Sequence, residues 1–142
     1  MRKIETQMCK AVQSSKDWKS ANTSVHFNEE NNTSVVRLHG NKIAEVGDDF
    51  LTIFDGGYQS VTTKSRLNAL INEFCNAVTD GVFQKNYQWF ISDNKVIHSF
   101  SNGYTFAWES FFWELSLSLG QTSSSLSWTP KQLISFKREM LP

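Results

Sequence analysis

The sequence has little of several features that would point to a particular class of protein. Its 142 residues hold 14 Lys or Arg and 14 Asp or Glu, so the formal net charge is zero. No overall field therefore draws the chain to nucleic acid or to a membrane. The two cysteines, Cys9 and Cys75, lie far apart, which excludes a disulfide framework and a clustered cysteine metal site. Any electrostatic recognition must then come from local patches of charge.

Apolar runs are also short. None approaches the ~20 residues of a membrane-spanning helix, and residues 1–5, MRKIE, contain no apolar signal core. We therefore expect a cytoplasmic protein that does not contact a membrane.

Motifs for catalysis are missing as well. The patterns G-x-S-x-G, H-E-x-x-H, G-x-G-x-x-G and the P-loop spacing do not occur. His26, His39 and His98 fall on separate predicted strands rather than at the spacing of metal ligands. The sequence thus predicts no enzyme activity, no cofactor and no metal site.

The order of patterns predicts an α+β fold. An N-terminal helix over residues 3–15 precedes an antiparallel β-meander of three or four strands between residues 25 and 54. A central helix from about Thr63 to Val78 has an apolar stripe at helical spacing and is expected to pack on the sheet. A second β-hairpin region follows, with Asn102-Gly103 as its strongest turn signal. We expect residues 1–107 to form one α+β domain and residues 108–142 an aromatic-rich C-terminal extension with a short final helix.

The start of the central helix breaks a charge rule. Helix N-termini favour acidic residues, because the free N–H groups carry partial positive charge, yet no carboxylate lies between Asp55 and Glu73. A local rule broken without compensation often marks a functional site, and a bound phosphate would resolve this conflict. The candidate ligand-binding residues are Thr62, Thr63, Lys64, Ser65 and Arg66, helped by Lys85 and by Arg37 and Lys42. The alternative is a helix capped by Thr62 or Thr63, whose basic side chains extend to solvent or pair with Asp48, Asp49 or Asp55.

Alternating aromatic residues over Phe83–Ile91 predict a strand with an aromatic face carrying Lys85. Such a face could stack bases, as in proteins that bind single strands. The alternative is that these aromatics form the inner face of a sheet, covered by the central helix.

The C-terminal tail holds large aromatic residues within a short stretch: Trp108, Phe111, Phe112 and Trp113. Its pattern over residues 108–119 fits a helix and a strand equally well. Trp and Phe are favoured at the cores of interfaces, so the tail is either a partner-binding or self-association surface, or it folds back to complete the core.

Several segments together resemble a small family of bacteriophage and bacterial proteins. They cover roughly residues 4–106, and the tail departs from the pattern. The matching pieces are QM at residues 7–8, Trp18, NTSV at 22–25, LHGNKIA at 38–44, TTKSRLNAL at 62–70, VFQK at 82–85 with Trp89, and NG at 102–103. The resemblance implies a phage-type accessory protein acting in a bacterial cell and carries over no activity or catalytic residue.

Two functional hypotheses follow. The first is a non-enzymatic binder of nucleic acid, a nucleotide or another phosphorylated ligand through the basic helix start. The second is a protein–protein effector, such as an inhibitor of a host enzyme or an oligomeric structural component, acting through the aromatic tail.

Overall fold

A computed structural model describes residues 2–107. Two helices and nine strands occur in this part of the chain. They are α1 (Lys3–Gln13), β1 (Trp18–Ser20), β2 (Thr23–Asn28), β3 (Thr33–Leu38), β4 (Asn41–Val46), β5 (Phe50–Ile53), α2 (Val61–Phe74), β6 (Gly81–Lys85), β7 (Gln88–Asp93), β8 (Val96–Ser99) and β9 (Tyr104–Ala107). The fold is mixed α+β and rich in strands, as the sequence predicted. The expected C-terminal extension and its helix lie outside the described residues.

The strands form two antiparallel sheets. Strands β1 to β5 follow one another as a meander, and β9 joins the far edge of this six-stranded sheet. Strands β6, β7 and β8 form a separate three-stranded sheet. The turn at Asn102-Gly103 therefore does not close a hairpin, because β9 pairs with β5 instead of β8. This placement buries Phe106 opposite Leu51, which adds an apolar pair to the core.

The core lies between the two helices and one face of each sheet. Helix α2 supplies its fully buried stripe of Leu67, Leu70, Ile71 and Phe74, at the helical spacing that the sequence showed. It contacts β4 and β5 of the large sheet and β6 of the small one, so the prediction that the central helix packs on the sheet is confirmed.

Helix α2 begins and ends earlier than its sequence suggested. Ser60, rather than Thr62 or Thr63, is the N-cap, since its side chain accepts a hydrogen bond from the Thr63 N–H at 3.0 Å. The helix ends at Phe74 because Asp80 accepts the Asn76 N–H and turns the chain. Val78, expected on the apolar stripe, is consequently 89% exposed.

The side chain of Asn68 on α2 fixes the small sheet to the helix. Its amide nitrogen donates to the Val82 carbonyl and its oxygen accepts the Val82 N–H, both at 2.8 Å. This pair of bonds satisfies backbone groups of β6 that no strand pairs. No helix among residues 2–107 is long and apolar enough to cross a membrane.

Candidate interaction surfaces

The hydroxyl groups at the start of α2 are engaged within the protein. Thr63 is buried, and its Oγ1 lies 2.8 Å from Ser60 Oγ and donates to the Tyr58 carbonyl at 3.3 Å. Ser65 donates to Glu5 Oε2 at 2.6 Å. Only Thr62 in this group makes no hydrogen bond with another described side chain. The cluster is thus a capped helix start whose hydroxyls are largely occupied.

The carboxylate missing from the start of α2 comes from α1. Arg66 is buried and its Nη1 donates to Glu5 Oε2 at 2.8 Å, with both side chains only 4% exposed. Arg66 Nε donates to Thr23 Oγ1 at 3.1 Å and Nη2 to Asn22 Oδ1 at 3.5 Å. The acidic partner is therefore Glu5, which is distant in the sequence; Arg66 neither extends to solvent nor pairs with Asp48, Asp49 or Asp55, the two outcomes of the alternative interpretation.

Burial alone would raise the pKa of Glu5. Hydrogen bonds from Ser65, from Arg66 and from the Arg2 N–H, together with the Arg66 charge, outweigh that effect and hold the pKa below its usual value. Glu5 therefore stays ionised at neutral pH, and the pair is a buried salt bridge whose remaining polar atoms have partners.

The remaining predicted cations lie apart. Lys64 is half-buried and makes no ion pair within residues 2–107, and it lies in an α2 first turn that has no acidic residue. Lys85 is exposed at the end of β6, on a different sheet. Of the two basic side chains at this helix start, Lys64 and Arg66, Lys64 is thus the one with access to solvent. Trp108, Phe111, Phe112 and Trp113 lie outside the described residues.

The aromatic segment 83–91 is two strands rather than one. A turn at Asn86-Tyr87 folds β7 back on β6, so that Phe83 pairs with Phe90 and Lys85 with Gln88. The turn inverts the alternation, because Phe83 and Trp89 now point to opposite faces. Trp89, Ile91 and Val82 are buried against the core, so the expected covering of the aromatic face is correct for Trp89 and Ile91 alone.

The other side of the small sheet is exposed. We call it the outer face, and define it by Phe83, Lys85, Gln88, Phe90 and Ile97. Phe83 stacks on Phe90 with ring centroids 5.6 Å apart. Phe83 is 36% exposed and Ile97 54%, and β8 is exposed along its whole length. The small sheet therefore exposes several apolar side chains to solvent.

Both turns of the small sheet hold non-glycine residues at positive φ. These are Asn86 and Tyr87 at 52° and 63°, and Asn94 and Lys95 at 53° and 70°. Two-residue hairpin loops of this kind favour glycine at the second position. Tyr87 is nevertheless a bulky residue there and is 97% exposed. The backbone of this turn is thus strained at a tyrosine that is exposed to solvent, and such strain is associated with functional sites.

A tyrosine of β9 packs against the small sheet and has an altered pKa. Tyr104 donates from its hydroxyl to Asp93 Oδ2 at 2.9 Å and packs against the His98 ring. Burial, followed by the Asp93 hydrogen bond and charge, raises the pKa of Tyr104 to about 12. This contact ties β9 to the small sheet. Within residues 2–107 no three His, Cys, Asp or Glu side chains lie close enough to hold a metal ion.

A comparison with known families agrees with the phage resemblance. The sequence model of the Kyanoviridae Gp96 protein family matches residues 1–107. The chain belongs to the Kyanoviridae Gp96 protein family. It is therefore a phage-family protein, and the match covers the same stretch as the α+β fold described above. No curated protein and no solved structure matches the chain.

Sequence reasoning missed Glu5 as the partner of Arg66 and missed the outer face. Glu5 occupies the N3 position of α1, where a carboxylate ordinarily serves its own helix by accepting the Arg2 N–H. Nothing local marks it as the partner of a residue 61 positions away. The turn at Asn86-Tyr87 had one signal, an asparagine, which tolerates positive φ.

Proposed function

We propose that this Kyanoviridae Gp96 family protein is a non-enzymatic interaction protein that binds another protein through the outer face of its small sheet. The observation that carries the proposal is the concentration of exposed apolar side chains there. Two of the seven exposed large hydrophobic residues of the described chain, Phe83 and Ile97, lie on this face, and a third, Tyr87, lies in its β6–β7 turn. Apolar side chains exposed together on one face of a sheet are typical of protein–protein interfaces.

The composition of the outer face fits a protein partner. Aromatic side chains carry much of the binding energy in interfaces, and polar groups at the rim supply hydrogen bonds. Here the stacked pair of Phe83 and Phe90 is central, with Lys85 and Gln88 beside it. Strand β8 adds an edge whose four residues, VIHS, include neither proline nor lysine, the residues that usually protect an edge from pairing.

The two hypotheses from the sequence remain proposals with less support. Anion binding at the start of α2 is favoured by Lys64 and the absence of an acid in the first turn, but Arg66 is already paired with Glu5. Partner binding through the tail residues 108–113 has only their aromatic composition behind it. In each version the protein would act inside the infected bacterial cell.

The proposal can be tested by co-purification of the tagged full chain from infected cells. The face variant is Phe83→Ser/Ile97→Ser. Its matched control is Tyr58→Ser/Val61→Ser, which also removes two exposed apolar side chains, 76% and 69% exposed, but near the start of α2. Circular dichroism checks that both variants fold.

We expect one defined protein to co-purify with the wild type and the control and to be lost with the face variant. Titration of that purified protein should then show at least about tenfold weaker binding to the face variant, because two hot-spot side chains of more than ~1 kcal/mol each are removed. Recovery of the same proteins with all three chains would contradict the proposal.

A further inference from the structure

A row of basic residues crosses the six-stranded sheet on the side away from the helices. Lys19 of β1 pairs with Ser24 of β2, Ser24 pairs with Arg37 of β3, and Arg37 pairs with Lys42 of β4. On β2 and β3 the residues next to this row, Val25, Val36 and Leu38, are buried on the side of the helices. Because side chains alternate along a strand, these four residues share the opposite, solvent-facing side. We call Lys19, Arg37 and Lys42 the basic row.

A β-bulge creates this row. Between Val36 and Arg37 the register shifts, so that Val36 pairs with Ala44 while Arg37 pairs with Lys42, and Ile43 is the extra residue. In a regular ladder Ile43 would stand opposite Arg37 on the exposed side. The bulge instead buries Ile43, which is 1% exposed, and places a lysine beside the arginine. Bulges that re-aim a side chain are common next to functional sites.

The pairing of Arg37 with Lys42 breaks a rule of sheet stability, since like charges directly opposite each other are destabilising. Lys42 is partly compensated, because its Nζ lies 2.8 Å from Glu45 Oε1 and 4.6 Å from the centre of the Phe54 ring. Arg37 makes no ion pair with a described residue. The sheet thus holds an uncompensated cation at a position that a bulge has arranged.

The next row along the same face contains the other charges that a ligand would meet. His26 contacts Asp17 at 3.3 Å, and Glu45 is the partner of Lys42. No carboxylate of residues 2–107 lies within the basic row itself. Adjacent strands lie about 4.8 Å apart, so the backbone positions of Lys19 and Lys42 are about 14 Å apart, with Arg37 between them.

We propose that the basic row binds the phosphate backbone of a single-stranded nucleic acid. The three cations lie in one line, so an extended strand laid across the sheet would pass each of them in turn. Phe54, half-buried at the Lys42 end of the row, is an aromatic side chain on which a base can stack. An open sheet face favours a single strand, because double-stranded grooves are read by helices or narrow ribbons.

This site is independent of the protein-binding face, which lies on the other sheet. The two proposals can therefore fail separately. A local row of cations supplies an attraction for nucleic acid that the zero net charge of the whole chain does not.

The test measures binding of the full chain to fluorescent single-stranded oligothymidylate and oligouridylate of about 12 nucleotides, and to a duplex of equal length. Fluorescence anisotropy is recorded at about 50 and 200 mM NaCl. With three phosphates contacted, the logarithm of the association constant should fall with a slope of about −2 against the logarithm of salt, or roughly 20-fold over this range.

The row variant is Lys19→Gln/Arg37→Gln/Lys42→Gln. Its control, Lys3→Gln/Lys10→Gln/Lys95→Gln, removes the same charge from exposed lysines of α1 and the small sheet. We expect the row variant to lose at least about tenfold in affinity and most of its salt dependence, while the control stays within about twofold. If the row variant does not fold, the exposed single change Lys19→Gln should still reduce the slope by about 0.7.

Three results would overturn the proposal. They are absence of wild-type binding at the lower salt, an equal loss in both triple variants, and equal or tighter binding to the duplex than to the single strands.

Discussion

Replacing Arg66 by methionine should reveal how strongly the Glu5–Arg66 pair holds α1 to α2. Met approximates the length of the arginine stem but lacks the guanidinium, so Glu5 would be left as a carboxylate that is 4% exposed and without its cation. Breaking a buried pair from one side costs about 3–5 kcal/mol. This is a large part of the 5–15 kcal/mol by which domains are typically stable.

Urea denaturation followed by circular dichroism measures this loss. With an m-value of about 1.5 kcal/mol per molar, a loss of about 3 kcal/mol lowers the unfolding midpoint by about 2 M. The double variant Glu5→Gln/Arg66→Met should recover most of the loss, because no buried charge remains and glutamine can still accept the Arg2 N–H and bond to Ser65. Lys64→Met, a cation on the same helix without an ion pair among the described residues, should change the free energy of unfolding by less than about 1 kcal/mol. An Arg66→Met protein as stable as wild type, or a double variant less stable than the single one, would refute the reasoning.

Three further outcomes are expected. Because folding lowers the pKa of Glu5, ionised Glu5 stabilises the fold fully above about pH 4.5, the unperturbed pKa. This stabilisation is lost as the pH falls through the lowered pKa, so Glu5→Gln should reduce the loss of stability in acid. Because the pKa of Tyr104 is raised to about 12, stability should decline from about pH 10 towards pH 12, and ultraviolet titration should lose its latest tyrosine phase in Tyr104→Phe. Tyr87→Gly should raise the free energy of unfolding by about 1 kcal/mol, since glycine adopts a positive φ without strain. The same change should weaken binding of the protein partner. A destabilised variant would contradict the strain argument.

The helices and the meander could be predicted from sequence because their signals are local. Leu67, Leu70, Ile71 and Phe74 fall at helical spacing, and the stripe alone determined which side of α2 would be buried. Most strands of the meander alternate and are separated by recognisable turns, although β1 was not predicted and the bulge interrupts the alternation of β4. These features depend on residues within a few positions of one another.

The hairpin of β6 and β7 could not be predicted in the same way. Alternation runs without a break from Val82 to Ile91, so the sequence reads as one strand. A two-residue turn at Asn86-Tyr87 reverses which residues share a face, and tyrosine is not the glycine that normally marks such a turn. The outer face therefore became visible only with the register of the strands.

The electrostatic environment of α2 depends on contacts between distant parts of the chain. The missing carboxylate at its start suggested a bound anion, but Glu5 supplies that charge from 61 residues away. The like-charge pair of Arg37 and Lys42 is also invisible in sequence, because it depends on the bulge at Ile43. A charge pattern read along the sequence must therefore be checked against the contacts between distant residues in the folded protein.

Site-specific photo-crosslinking in infected cells tests the central claim, that the outer face of the small sheet binds a protein. A benzoylphenylalanine replaces Ile97 on this face, which is 54% exposed, or Val61 near the start of α2, an apolar control that is 69% exposed. The account predicts one discrete protein adduct after irradiation of the Ile97→benzoylphenylalanine chain and none from the Val61 position. No adduct at position 97, or the same adduct from both positions, would contradict it.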